Sequence, residues 1–240
     1  MSEKIKALLL SGGYGKRLRP LTEKIPKCLL EINRKPMLEH WLSKIEEIGC
    51  DPCLRNTHYL SEKVQNFLRN RKKSKMNIKE VYEEKLFGTA GTLIKNSNFF
   101  KDCNTLMIHT DNMTNFDLNK LILANSKRPK KCLMTMLTFQ TESPSSCGIV
   151  LKDKNDVLQE FMEKIKDPPS KIANAAIYLF DSNFIDKLII EVPNAKDFSL
   201  DVIPKFLNRI YTFHTDDILI DIGNIKNLKK AKKFFSSYCH

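Results

Sequence analysis

Short apolar segments alternate with amphipathic helical stretches over the first 140 residues, and this alternation limits the fold more than any other feature. Residues 5–10 close on Leu8, Leu9 and Leu10, the kind of segment that lies buried on both faces of a parallel sheet. Across 37–48, Met37, Leu38, Trp41, Leu42, Ile45 and Ile48 fall on one helical face; Pro36 opens that helix and Gly49 ends it. Residues 53–57 read as a strand, 61–69 as a helix capped by Ser61, and 78–82 as a strand. A helix opening at 88–92, a strand at 105–109, a helix at 118–126 and a strand at 132–139 follow. The short stretch 28–32 is a further apolar segment before the turn at 33–36. This spacing predicts a doubly wound, mostly parallel, Rossmann-like α/β sheet with helices on both faces.

After Phe139 the pattern changes. Residues 148–151, 157–163 and 172–180 read as β segments joined by turn-rich loops, with helical segments near 183–191 and 200–207. Short strands follow at 210–213 and 218–220, and Asn224 caps a final amphipathic helix. The expectation is one domain over 1–240: a core at 1–140, an appended smaller β region at 141–223 and a C-terminal helix at 224–240. Its 240 residues suffice for a substantial core.

The first strand runs into Ser11-Gly12-Gly13-Tyr14-Gly15-Lys16-Arg17-Leu18-Arg19-Pro20-Leu21-Thr22, and Pro26-Lys27 comes soon after. Glycines let backbone N–H groups approach an anion, and Arg17 and Lys27 add fixed positive charge, so the loop reads as a phosphate site. Two familiar phosphate loops do not fit. A dinucleotide fingerprint starting at Gly13 needs glycine where Leu18 stands, and a Walker A loop needs Ser or Thr where Arg17 stands.

Composition narrows the field further. The formal charge is +12, concentrated in the run 69–75 and in 226–233, but neither run carries interleaved aromatics or a nucleic-acid motif. A solvated lysine surface that attracts small anions is the better reading, with no nucleic-acid partner. No apolar run approaches a membrane span and no signal-peptide core is present, so a cytoplasmic protein is expected. Seven cysteines, an odd number scattered through core-like segments, fit free thiols. Cys50-Asp51-Pro52-Cys53 has redox or zinc spacing, but no second pair or histidine cluster completes a site.

Taken in order, GG-x-G-x-R-L-x-P-L-T followed by P-K resembles the signature loop of the sugar-1-phosphate nucleotidylyltransferases. Later stretches continue the resemblance: Glu83 and Gly88 in 83–91, Thr110-Asp111, Cys147-Gly148-Ile149-Val150, Glu163-Lys164, Asn174-Ala175-Ala176-Ile177-Tyr178 and Ile220-Asp221-Ile222-Gly223. The nearest likeness is to short mannose-1-phosphate guanylyltransferase-like proteins. Their chemistry joins a sugar 1-phosphate to the α-phosphorus of a nucleoside triphosphate and releases pyrophosphate.

The resemblance implies Arg17 and Lys27 as catalytic cations and Leu10, Gly12, Gly13, Glu83 and Gly88 as nucleotide contacts. Asp111 and Asp221 become ligands of Mg2+, while Gly148, Glu163, Lys164 and Asn174 bind the sugar phosphate in the appended region. A carboxylate at Glu83 only accepts hydrogen bonds, which suits guanine and favours GTP. Cys147, Ile165 and Ala176 depart from the family's aromatic, proline and glycine, and the extra methyl at Ala176 narrows the sugar pocket. Uridylyl or thymidylyl transfer is the neighbouring alternative. A non-catalytic regulatory binder is another, although it need not keep both cations and both carboxylates. The chain is expected to lack an appended β-helix domain and to act as a monomer or homodimer.

Overall fold

The computed structural model describes residues 4–71 and 76–236. The basic run read at 69–75 therefore lies partly outside the described residues, as do the last four positions of the C-terminal segment. In chain order the elements are β1 (Ile5–Leu10), α1 (Leu21–Lys24), β2 (Glu31–Ile32), β3 (Lys35–Pro36), α2 (Met37–Glu47), β4 (Cys53–Thr57), α3 (Ser61–Asn70) and β5 (Ile78–Tyr82). There follow α4 (Thr89–Lys95), β6 (Asn104–His109), β7 (Asn112–Thr114), α5 (Leu118–Ser126), β8 (Met134–Gln140), β9 (Gly148–Lys152) and β10 (Leu158–Glu163). The last are β11 (Ile172–Phe180), α6 (Ser182–Glu191), β12 (Ile210–Thr215), β13 (Leu219–Asp221) and α7 (Ile225–Ser236).

Among the described residues a nine-stranded mixed sheet runs β10-β9-β11-β6-β1-β4-β5, with β8 on β11 and β12 on β8. Strands β5, β4, β1 and β6 are parallel. Strand β11 joins β6 antiparallel, so the segments past residue 140 continue the same sheet. Alternation along β1 sorts its side chains: Leu8 faces Met107, Tyr178 and Phe198, while Ala7 and Leu9 face Trp41, Ile108 and Phe116. A third apolar cluster joins Leu18 of the glycine loop to Ile220, Ile222 and Leu228. That contact anchors the loop to the β13–α7 segment.

A small antiparallel ribbon, β7 with β13, sets Asp221 opposite Asn112. Trp41 is buried in the core, and its indole N–H donates to the Asn112 carbonyl at 3.0 Å, holding this ribbon to α2.

Two local expectations change. Ser61 does not cap α3; Leu60, with φ 50°, precedes the helix and no side chain caps it. The helix expected at 200–207 is instead one π turn at Phe198–Val202 and one 3-10 turn at Ile203–Lys205, because Pro204 cannot donate the bond an α-helix needs there. Asn224 does cap α7, its side-chain oxygen accepting from the Asn227 amide at 2.8 Å. Cys50 and Cys53 are buried free thiols, and no group of three or more metal-binding side chains occurs among the described residues.

Candidate active site

The order of the parallel strands reverses between β1 and β6, and a cleft of about 330 Å³ opens at their carboxyl ends. Seven of the expected residues line it: Leu10, Gly12, Gly13, Arg17, Lys27, Gly88 and Asp111. The loop is fixed from below by β4. Ser11 donates its amide to Asn56 Oδ1 at 2.8 Å and its hydroxyl to the Asn56 carbonyl at 2.6 Å. Thr22 donates its hydroxyl to the Gly15 carbonyl at 2.8 Å, closing the turn. Tyr14 meets His58 Nε2 through its hydroxyl at 2.6 Å.

Lys27 Nζ lies 2.5 Å from Asp111 Oδ2 and 3.9 Å from Asp221 Oδ1, so one ammonium faces two carboxylates. Arg17 Nη2 passes 2.6 Å from where a β-carbon on Gly223 would sit, beside the Asp221 carboxylate. Asp221 Oδ1 also accepts from the Gly223 amide at 2.7 Å. Burial pushes the Asp111 carboxyl up, but Lys27 at hydrogen-bond distance overrides this and holds it below its ordinary value. Burial, then the neighbouring Asp111 charge, pushes Asp221 up against the pull of Lys27. Two hard carboxylates converging beside fixed cations fit a divalent metal that takes its remaining ligands from phosphate oxygens and water.

Glu83 is placed differently from the base contact read in the sequence. It is fully buried, and its carboxylate accepts from the Thr92 hydroxyl at 2.6 Å, the Phe87 amide at 3.0 Å and Asn56 Nδ2 at 3.2 Å. Rather than facing the cleft, it ties β4 to α4 and orients the Asn56 side chain that holds Ser11. Gly88 lines the cleft with φ 84°, and the Lys196 carbonyl occupies the place of its missing β-carbon. That carbonyl accepts from the amides of Ala90 at 2.9 Å and Gly91 at 3.4 Å. The start of α4 is thus met by a protein carbonyl.

The remaining expected residues gather on β9, β10 and β11, beside the cleft. Gly148 pairs with Glu163 across β9 and β10, and the side chains of Phe161 and Glu163 close over its α-carbon. This glycine is required by its own neighbours. Lys164 is 62 % exposed, with its ammonium 2.9 Å from Glu163 Oε1. Asn174 donates to the Tyr178 hydroxyl at 2.6 Å and accepts from the Ala176 amide at 2.9 Å. Ala176 sits at a register shift in β11 with φ 53°, a left-handed conformation that glycine adopts more easily.

Two residues escaped the sequence reading. Asn56 carries the loop, and its signal is a polar residue at the carboxyl end of β4. His109 ends β6 and lines the cleft; burial pushes its imidazole down, and its Nε2 is buried without a partner among the described residues.

A switch-point cleft with clustered cations and paired carboxylates defines an α/β protein built to hold anionic ligands. The chain belongs to the nucleotidyl transferase family, whose model matches residues 6–237. It is 28% identical over 228 residues to a mannose-1-phosphate guanylyltransferase catalytic subunit beta of Drosophila melanogaster, covering 92% of this chain and 60% of that protein. It is 27% identical over 245 residues to a UTP–glucose-1-phosphate uridylyltransferase of Synechocystis, covering 95% and 62%. The chain thus spans about three-fifths of the length of these relatives. Its fold matches a Bacillus anthracis structure described as a glucose-1-phosphate thymidylyltransferase in complex with a sucrose, with a TM-score of 0.88 at 23% identity, covering 98% and 97% of the two chains. It also matches HddC from Yersinia pseudotuberculosis complexed with GMP-PN, with a TM-score of 0.79 at 21% identity, covering 96% and 99%.

Proposed function

We propose that this protein transfers a nucleoside monophosphate from a triphosphate to a sugar 1-phosphate and releases pyrophosphate. GTP and mannose 1-phosphate, or a closely related sugar, are the substrates this reading favours. The observation that carries it is the placement of Lys27 between Asp111 and Asp221, with Arg17 alongside, in the switch-point cleft.

In the reaction a phosphate oxygen of the sugar 1-phosphate forms a bond to the α-phosphorus. The bond from that phosphorus to the β-phosphate breaks, and pyrophosphate departs with the electron pair. No side-chain nucleophile is required. Arg17 and Lys27 bind the triphosphate and stabilise charge that develops on the non-bridging oxygens. Loop amides near Gly12 and Gly13 hold the phosphates beside Leu10. Asp111 and Asp221 would hold Mg2+, which when bound neutralises phosphate charge and orients the attacking group. Lys164 pairs with the sugar phosphate, and Glu163 and Asn174 bind its hydroxyls after exchanging the protein partners they hold here.

The choice of guanine rests on the guanylyltransferase relatives, since Glu83 supports the loop from behind. Glu83 reaches a base only by giving up its three buried hydrogen bonds. A reducing cytoplasm suits the six free cysteines found among the described residues.

The test is a matrix of four nucleoside triphosphates against a panel of sugar 1-phosphates with magnesium, read by pyrophosphate release. Fastest turnover in the GTP and mannose 1-phosphate cell supports the full reading. Preference for UTP or dTTP overturns the base, and absence of turnover in every cell overturns the transferase.

A further inference from the structure

We propose that His109 is a specificity-determining substrate contact: its imidazole hydrogen-bonds a hydroxyl of a bound substrate where the phosphate cleft meets the β9–β11 cluster. This rests on the transferase reading above.

His109 lies opposite Leu10 in the β1–β6 register and lines the cleft two residues before Asp111. Its Nε2 is buried and has no partner among the described residues. Buried polar atoms in native proteins are nearly all satisfied, so an orphan in the wall of a binding cleft points to a partner that arrives with the ligand. The ring packs edge-on against Tyr178, with centroids 6.4 Å apart, and the Tyr178 hydroxyl is held by Asn174. This packing sets His109 between the phosphate residues and the group expected to bind sugar hydroxyls.

The chemistry selects a hydroxyl. On the transferase reading the phosphate oxygens are met by Arg17 and Lys27, whereas an imidazole carries one donor and one acceptor nitrogen, matching a group that both gives and takes a hydrogen bond. A leucine would fill the same space, but it would leave a substrate hydroxyl unpaired.

The hydroxyl can come from the ribose of the triphosphate or from the sugar 1-phosphate, and the experiment separates these. Steady-state kcat/KM is measured for wild type, His109→Leu and His109→Gln. One arm compares GTP with 2′-deoxy-GTP and 3′-deoxy-GTP; the other compares mannose 1-phosphate with its 2-, 3-, 4- and 6-deoxy forms. Wild type is expected to prefer the hydroxylated compound about 10- to 100-fold at one position in one arm. His109→Leu should bring that ratio close to one by slowing the hydroxylated substrate far more than the deoxy compound, and His109→Gln should restore part of it. A fold defect would slow both compounds equally and keep the ratio. An unchanged ratio at every position in His109→Leu overturns the contact alone. If wild type turns over none of these pairs, the deoxy pairs are built on the triphosphate and sugar 1-phosphate that turn over in the matrix above. Silence in every cell of that matrix overturns the transferase reading, and the contact with it.

Discussion

At the scale of single residues, the site depends on one lysine held between two carboxylates. The ammonium is a compact charge on a flexible stem, and a planar guanidinium cannot take its position between Asp111 and Asp221 without displacing one of them. Lys27→Arg and Lys27→Ala are both expected to lower kcat by about 100-fold or more, with the circular dichroism spectrum unchanged. Ala176 makes a separate prediction. Its φ of 53° is strained for a residue with a β-carbon, so Ala176→Gly should raise stability by about 1 kcal/mol in urea unfolding. A loss of stability there would show that the methyl packs better than its backbone suffers. The aspartates were legible in the sequence because each follows a recognisable strand motif. Glu83 was visible as a carboxylate at a strand end, but its orientation was not. Its partners Asn56 and Thr92 lie on other elements, and only the fold brings them together.

At the scale of elements, the segment that follows α6 docks its Lys196 carbonyl on the start of α4. A β-carbon at Gly88 would occupy the position of that carbonyl. Gly88→Ala is therefore expected to cost more than about 1 kcal/mol and to raise the KM for both substrates, as measured by unfolding and kinetics. Unchanged stability would mean that the 195–198 segment moves aside freely. Local periodicity fixed several elements to the residue: β1, β4, β5 and α5 fall on 5–10, 53–57, 78–82 and 118–126. It failed at 200–207, where the apolar spacing looks helical but Pro204 and the Asp197 cap impose a π turn and a 3-10 turn. The β7–β13 pairing, which brings Asp221 to Asp111, joins segments more than 100 residues apart and leaves no local trace in either.

Over the whole molecule, one continuous sheet carries both the switch-point cleft and the cluster on β9, β10 and β11. The thiols report on the integrity of this core. Burial pushes Cys28 up to about 11 and Cys50 up to about 12, from 9.0, and pushes Cys53 up further. Each thiol is harder to ionise folded than unfolded, so their contribution to stability is complete below pH 9 and is lost as pH rises towards 11–12. At pH 8 an alkylating reagent should label half-buried Cys147 before the five buried cysteines among the described residues. Rapid labelling of Cys50 or Cys53 would contradict the packing of that end of the sheet. No described helix is long and apolar enough to cross a membrane.

On the proposed function, the Asp111 carboxylate takes part in nucleotidyl transfer in the switch-point cleft. That role is tested by nucleotide-sugar formation from GTP and mannose 1-phosphate with magnesium, for wild type beside Asp111→Asn. Wild type is expected to release one pyrophosphate per nucleotide sugar formed, and the variant, melting as wild type does, to work at least about 100-fold more slowly. A folded Asp111→Asn protein working at the wild-type rate would contradict it.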